Sequence, residues 1–175
     1  RMKQTVTQLV VISGRSGSGK STALHVLEDL GYYCIDNLPA SLIPTLVERS
    51  KQQKLSLKIA VSIDARNSAV DLKDFPLAIT KIKDIDVRVI FLDAASPTLI
   101  KRFSETRRKH PLSTEKMGLK EALDVESQLL DELAMMASLK IDTTHMTLHQ
   151  LRDDVRDRVA NTTQSTTIMF QSFAF

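Results

Sequence analysis

The residues Gly14-Arg15-Ser16-Gly17-Ser18-Gly19-Lys20-Ser21 match the pattern G-x-x-x-x-G-K-[ST] at every fixed position. Their types define one chemistry, the holding of phosphate. Gly14, Gly17 and Gly19 free the backbone for turns that a Cβ would obstruct. Successive N–H groups, from Gly14 on to Thr22, then face one concavity and hold phosphate oxygens. Lys20 brings a mobile charge to the β- and γ-phosphates, and the Ser21 hydroxyl suits Mg²⁺. The chain has only five glycines, so three of them within six residues mark a backbone requirement. Context separates this string from a glycine-rich turn with a chance lysine. An apolar run over residues 8–13 leads in, and a helical pattern follows. A helix starting near Lys20 aims the positive end of its dipole at the same phosphates.

Carboxylates come next. Asp36, Asp64, Asp93 and Asp142 each end a short apolar run. Asp64 closes an apolar-Ser-apolar-Asp string, the setting of an acid that holds Mg²⁺ through water. It is preferred for that role over Asp93 and Asp36, since any of them also suits the capping of a strand end or a following helix. Lys20 and Asp64 are thus the expected catalytic residues, and Ser21 and Asp64 the expected metal ligands. Ala65, Arg66 and Asn67 follow at once, the last two placed to contact base or phosphate. Arg102, Arg107 and Arg108 gather at a helix end, before a polar, irregular segment over residues 110–118. Guanidinium forks suit phosphate oxygens and stack on purines. The same cations would neutralise a helix C-terminus, and residue types leave both roles open. Cys34, Tyr32 and Tyr33 read as packing residues. The four histidines show no metal-ligand spacing.

These side chains need a frame. Short apolar runs predict strands over residues 8–13, 32–36, 57–64, 87–93 and 139–142. Helical spacing predicts helices over residues 20–30, 41–53, 70–83 (interrupted at Pro76), 97–108 and 119–137. Leu148, Leu151, Val155 and Val159 give a last helix its apolar stripe. Residues 161–167 read as linker-like, and residues 166–173 as a further strand. The alternation implies an α/β domain in three layers, a parallel sheet with helices on both faces. With the phosphate loop, this is a P-loop NTPase of the small-kinase type. In such sheets ligands bind beyond the carboxyl ends of the strands, where the four aspartates fall.

Composition bounds the rest. A length of 175 residues argues for one domain, and 42% hydrophobic content excludes a disordered chain. No apolar run approaches the roughly 18 residues that span a bilayer, so no membrane role is expected. The first residues lack the apolar stretch of a secretory signal. Arg1 ahead of Met2 reads as a residue left from expression. A single cysteine excludes an internal disulfide and a thiolate metal cluster. Together these point to a soluble, reducing, cytoplasmic setting. A net charge of +3 is no nucleic-acid footprint without clustering, and the densest cluster is Arg102, Arg107, Arg108, Lys109 and His110.

Further strings accompany the phosphate loop: Tyr33-Cys34-Ile35-Asp36-Asn37-Leu38-Pro39, Ser62-Ile63-Asp64-Ala65-Arg66-Asn67, Phe91-Leu92-Asp93-Ala94, Thr106-Arg107-Arg108-Lys109-His110-Pro111-Leu112 and Ile141-Asp142-Thr143. With them the chain resembles the RapZ/YvcJ family of nucleotide-binding proteins over residues 10–173. The phosphate loop is common to many families; the Asp-Asn-Leu-Pro, Asp-x-Arg-Asn and Thr-Arg-Arg-x-His-Pro-Leu strings are far more specific. The resemblance implies ATP at Gly14 to Ser21 and a second segment, associated with GTP, at Asp64 to Asn67. It also implies weak nucleotide hydrolysis in some members. In enteric members it implies an adapter that presents a small regulatory RNA to an endoribonuclease and so controls amino-sugar synthesis. A second, C-terminal domain of the family carries most RNA binding and metabolite sensing. On this reading residues 1–164 are the nucleotide-binding domain, and residues 165–175 begin the connection to the second domain.

The expectation is therefore a regulatory protein that binds ATP or GTP with Mg²⁺ and hydrolyses it slowly at most, with a homo-oligomer admitted. A rival reading is a kinase for a small metabolite, with Asp36 as the best available general base. A third, a structural RNA-binding module, is opposed by the modest charge. One outcome follows from the charge pattern. Four contacts from Arg102, Arg107, Arg108 and Lys109, at about 0.7 each, give RNA binding with a log–log salt slope near −3. Filter binding across a salt series should find this chain weak and unselective for RNA, and weaker still with ATP. Tight, sequence-selective binding that ignores ATP would place an RNA site within this domain.

Overall fold

A computed structural model of the chain describes residues 8–52 and 58–164. Five strands, β1 (Gln8–Gly14), β2 (Tyr33–Ile35), β3 (Lys58–Ser62), β4 (Asp86–Asp93) and β5 (Leu139–Asp142), form one sheet in the order β2-β3-β1-β4-β5. Every neighbouring pair is parallel. The helices are α1 (Lys20–Asp29), α2 (Ile43–Gln52), α3 (Ala69–Lys73), α4 (Phe75–Thr80), α5 (Ser96–Thr106), α6 (Leu119–Leu129), α7 (Asp131–Met136) and α8 (Leu148–Gln164). A 3₁₀ turn (Ala40–Leu42) leads into α2. Among the described residues no helix is long and apolar enough to cross a membrane.

Successive side chains of a strand face opposite ways, so β1 feeds two cores. Leu9 and Val11 pack with Ile43 of α2, Leu72 of α3, Phe75 of α4 and Leu133 of α7. Val10 and Ile12 pack with Ala23 and Leu27 of α1 and Leu151 and Val155 of α8. A strand covered on both faces is apolar without alternation, as this one is. Each such leucine or isoleucine contributes roughly 1.5–3 kcal/mol by leaving water. A small third core joins Ala94, Leu99 and Phe103 to Leu123 of α6, at the edge of the crevice. Strand β1 has β3 on one side and β4 on the other, so the strand order reverses there and a crevice opens beyond its carboxyl end.

The elements differ from the pattern reading in instructive places. The expected helix over residues 70–83 is two helices that meet at Asp74, and Pro76 lies in the first turn of α4, where its missing N–H costs nothing. The long helix over residues 119–137 breaks at Leu130, because its two parts serve different cores: Leu123 packs beside α5, Leu130 and Leu133 on the sheet. Helix α5 ends at Arg107, which takes a left-handed conformation with φ 56°. Tyr33, expected to pack, is 64% exposed, at the start of β2, a three-residue strand at the edge of the sheet. Residues 161–164 continue α8 rather than forming a linker. The expected strand over residues 166–173 and the connection over residues 165–175 lie outside the described residues.

Gly14 is the position where the turn out of β1 is tightest. Its φ of 148° disfavours any residue with a side chain, and a Cβ there would overlap the Leu92 carbonyl oxygen of β4. Gly14→Ala should therefore combine backbone strain with forced separation of β1 from β4, together about 2–4 kcal/mol. Thermal unfolding should show a Tm lower by about 5–15 °C. An unchanged Tm would mean the turn adapts without moving β4.

Candidate nucleotide site

The turn from β1 into α1 curls around open space at the carboxyl end of the sheet. Gly19, at φ 116°, closes the loop and stands as N-cap of α1 with no side-chain cap. The first N–H groups of α1 are thus left free for an anion. A Cβ on Gly19 would run into Leu151 of α8, so this glycine also allows α8 to close on the loop. The loop borders a cavity of about 700 Å³. Ser16 to Thr22 form one wall, and Asp36, Asp64 and Arg66 at the ends of β2 and β3 form another. Arg102, Arg108 and Lys109 from α5 and the turn after it close a third side, with Met146 and Leu148 opposite. The volume suits a nucleotide-sized ligand.

Several charges in this space are already held by hydrogen bonds. Lys20 donates from Nζ to the Gly14 carbonyl at 2.8 Å. Burial pushes its pKa down, while Glu126 and Asp64 work against that fall. Asp64 lies two residues beyond β3, and its carboxylate accepts the Arg66 backbone N–H at 2.9 Å and Arg66 Nη2 at 2.7 Å. Burial alone would raise the Asp64 carboxyl; the Arg66 hydrogen bonds and the charges of Arg66 and Lys20 outweigh it and hold the group below the usual carboxylate range. Asp36 accepts the Ser62 hydroxyl at 2.6 Å and lies 3.9 Å from Arg66.

The geometry sorts the residues expected here. Ser16, Gly17, Ser18, Gly19, Lys20, Ser21, Thr22, Asp64, Arg66, Arg102 and Arg108 all line the cavity. Gly14 lies behind it as the acceptor for Lys20. Arg15 does not line it: its Nε donates to Asp93 at 2.9 Å, Nη1 to the Ser96 hydroxyl at 2.9 Å and Nη2 to the Ala94 carbonyl at 2.8 Å. Asp93 is consumed by Arg15 and the Ala94 N–H and lies outside the space, whereas Asp64 and Asp36 both line it. Ala65 and Asn67 are buried, and the Asn67 side chain stitches the turn after β3 to the turn after β2. Its oxygen accepts the Ala40 N–H at 2.8 Å, and its amide nitrogen donates to Asn37 at 2.9 Å. Arg107 also stays outside, because the left-handed turn at the end of α5 takes its side chain out of line with Arg108.

Two residues that hold the loop, Thr143 and Glu126, were given no role in the sequence reading. Arg102, named there as a nucleotide contact, donates to the Gly17 carbonyl at 2.9 Å, and beside it Thr143 donates to the Ser18 carbonyl at 2.8 Å. Thr143 had appeared only in a family string. Glu126 of α6 takes the Ser16 backbone N–H, and His110 bonds to the other side of the same carboxylate. A signal for Glu126 existed: it shares a helical face with the buried Ala122 and Leu123, an acid on an apolar stripe.

This fold and site define a phosphate-loop protein with the architecture of the small kinases. Among solved structures, a gluconokinase from Sinorhizobium meliloti aligns over 98% of this chain and 99% of its own with a TM-score of 0.57 and 17% identity. A shikimate kinase from Acinetobacter baumannii aligns over 93% and 97% with a TM-score of 0.55 and 16% identity. At such identities the likeness is one of fold. In sequence, residues 7–163 match the RapZ-like N-terminal domain, and the chain belongs to that family. A nucleotide-binding protein of Hahella chejuensis is 54% identical over 96% of the chain, and one of Pseudomonas aeruginosa is 51% identical over the same share. The chain spans about 60% of the length of these curated relatives.

The arrangement at Asp64 makes a prediction about metal. Asp64→Asn keeps the shape but removes the charge that would orient a cation's waters, and it also frees Arg66. Calorimetry with Mg²⁺ should show triphosphate affinity about tenfold lower, and without Mg²⁺ within about twofold of the parent. Equal losses under both conditions would assign the metal to another carboxylate, with Asp36 next in position.

Proposed function

We propose that this chain binds a nucleoside triphosphate, ATP or GTP, together with Mg²⁺, and acts as a regulatory module with slow hydrolysis at most. The observation that carries the reading is that the phosphate loop, Lys20, Ser21 and Asp64 line one and the same cavity. Free N–H groups at the start of α1 hold phosphate oxygens, and Lys20 leaves the Gly14 carbonyl to follow the outer phosphates. Mg²⁺ fits the donors present. Among the described residues no three His, Cys, Asp or Glu side chains converge on a metal. A cation here would be shared between the Ser21 hydroxyl, waters ordered by Asp64 and the phosphates themselves, the habit of Mg²⁺. When bound, it would neutralise charge on the outer phosphates. Arg102 and Arg108 flank the opposite side of the cavity, where base and phosphate contacts suit guanidinium planes.

Regulation rather than rapid chemistry is supported by the state of Asp64. Arg66 holds its carboxyl below the ordinary carboxylate range, which makes it a weak base and suits ion binding better than proton abstraction. In a protein of its relatives' full length, the proposed role is that of an adapter in the cytoplasm that brings an RNA to an endoribonuclease under nucleotide control. A second reading, phosphorylation of a small metabolite, draws on one observation: Asp36 lines the same cavity and is oriented by Ser62.

One experiment tests both. Lys20→Ala should weaken triphosphate binding roughly ten- to a hundredfold, the contribution of a charge-assisted contact of about 1.5–3 kcal/mol. The fold should be kept, because the lysine touches only a loop carbonyl. Calorimetry showing unchanged affinity in the folded variant would sink the assignment. Incubating the parent chain with triphosphate and a panel of hydroxyl-bearing metabolites separates the two readings. Slow phosphate release indifferent to every acceptor supports the regulator; rapid formation of one phosphorylated product supports the kinase.

A further inference from the structure

Glu126 lies on α6 with no exposed surface. Ser16 gives it every donor it has. The Ser16 backbone N–H points to Oε1 and Oε2 at 2.9 and 3.0 Å, and the hydroxyl donates to Oε2 at 2.7 Å. On the opposite side, His110 Nε2 lies 2.7 Å from Oε1. Leu112 fixes which ring nitrogen carries the proton: its N–H donates to His110 Nδ1 at 3.0 Å, so the proton sits on Nε2 and the ring is neutral. His110 is buried and opens the segment over residues 110–118, with its carbonyl accepting the Ser113 N–H. A chain of hydrogen bonds thus runs from the phosphate loop through a buried carboxylate to the turn that flanks the cavity.

Ser16 borders the cavity, whereas Glu126 and His110 do not. At this position the space therefore meets hydroxyl lone pairs, with both donors turned away toward an anion. A phosphate oxygen arriving there finds nothing to accept from until Glu126 gives up the pair, because two anions cannot share two donors. The location within the phosphate chain follows from Lys20. Its Nζ reaches back to the Gly14 carbonyl at 2.8 Å, two residues before Ser16, so the Ser16–Glu126 contact lies at the lysine's end of the loop, where outer phosphates bind.

We propose that Glu126 is the residue through which this site distinguishes phosphate chains by length: a terminal phosphate takes the two Ser16 donors from Glu126, and the release passes through His110 to the segment it opens. The proposal rests on the nucleotide-binding reading above. A diphosphate seated on the α1 amides leaves the contact intact. A triphosphate breaks it and leaves the carboxylate and the imidazole to find new partners. Glu126 accordingly holds down triphosphate affinity and makes occupation of the outer position visible at residues 110–118.

Glu126→Gln keeps the shape and removes the charge, so Ser16 is held less firmly. The affinities of ATP, ADP, GTP and GDP are measured on the parent and the variant. For the base that binds, the ratio of triphosphate to diphosphate affinity should rise about tenfold in the variant, the difference between a charge-assisted and a neutral contact. A glutamate with only a structural role would weaken all ligands alike and leave that ratio unchanged, which would overturn the proposal. The second measurement needs no substitution. In the unsubstituted chain with ¹⁵N-labelled histidine, a non-hydrolysable triphosphate should shift the His110 Nε2–H resonance, and the diphosphate should leave it in place. A resonance that answers both ligands equally, or neither, overturns the proposal even if Glu126→Gln does not fold. Absence of any nucleotide binding is a different outcome, since it overturns the functional reading and not this contact alone.

Discussion

Backbone N–H groups aimed at one point repel one another, and a loop built from them must be held open while it is empty. In this chain its groups are held from outside. Lys20 neutralises the Gly14 carbonyl, Arg102 of α5 takes the Gly17 carbonyl, Thr143 just past β5 takes the Ser18 carbonyl, and Glu126 of α6 takes the Ser16 N–H. Successive peptide groups thus have their dipoles fixed by side chains from separate elements. Phosphate affinity in such a loop depends on that fixing, because a loop that must reorganise on binding loses part of its interaction energy to ordering.

Much of the fold can be understood as what brings those side chains to one end of the sheet. The order β2-β3-β1-β4-β5 puts the β1 loop between the ends of β3 and β4, so acids from one side and cations from the other converge on it. The third core, formed by Leu99, Phe103 and Leu123, fixes α5 and α6 against each other at the crevice and so sets the distances of Arg102 and Glu126 from the loop. Helix α8 closes from the opposite face through Leu151, whose Cδ2 occupies the space that a Cβ on Gly19 would take.

The acids are divided by their partners. Asp93 and Asp64 both follow apolar strands, and each meets an arginine. Arg15 is buried, takes three partners and locks Asp93 into the wall. Arg66 is half exposed and bound to Asp64 through its fork, with Asp36 nearby. The buried arginine makes structure, whereas the exposed one leaves its carboxylate usable. Glu126 shows a third condition, in which burial is offset by a neutral imidazole and by loop donors rather than by a full opposing charge in contact.

Local chemistry was enough to determine the phosphate loop and the alternation of strands and helices. The loop requires glycine where φ is positive, a two-sided strand requires unbroken apolar residues, and neither requirement depends on distant contacts. The family strings made residues 106–112 conspicuous as well, though not the reason for His110. Tertiary structure alone decided which way the long polar side chains turned. Arg15 looked like a ligand contact because of its place in the motif, but three acceptors on β4 and α5 lie within its reach. Asn67 looked like a base contact, but the turn after β2 consumes its amide. Glu126 belonged to no motif or family string, yet it is buried and lies 110 residues along the chain from the serine it holds. A long polar side chain takes its role from the acceptors and donors that packing brings near it, and over such separations only the folded chain specifies them.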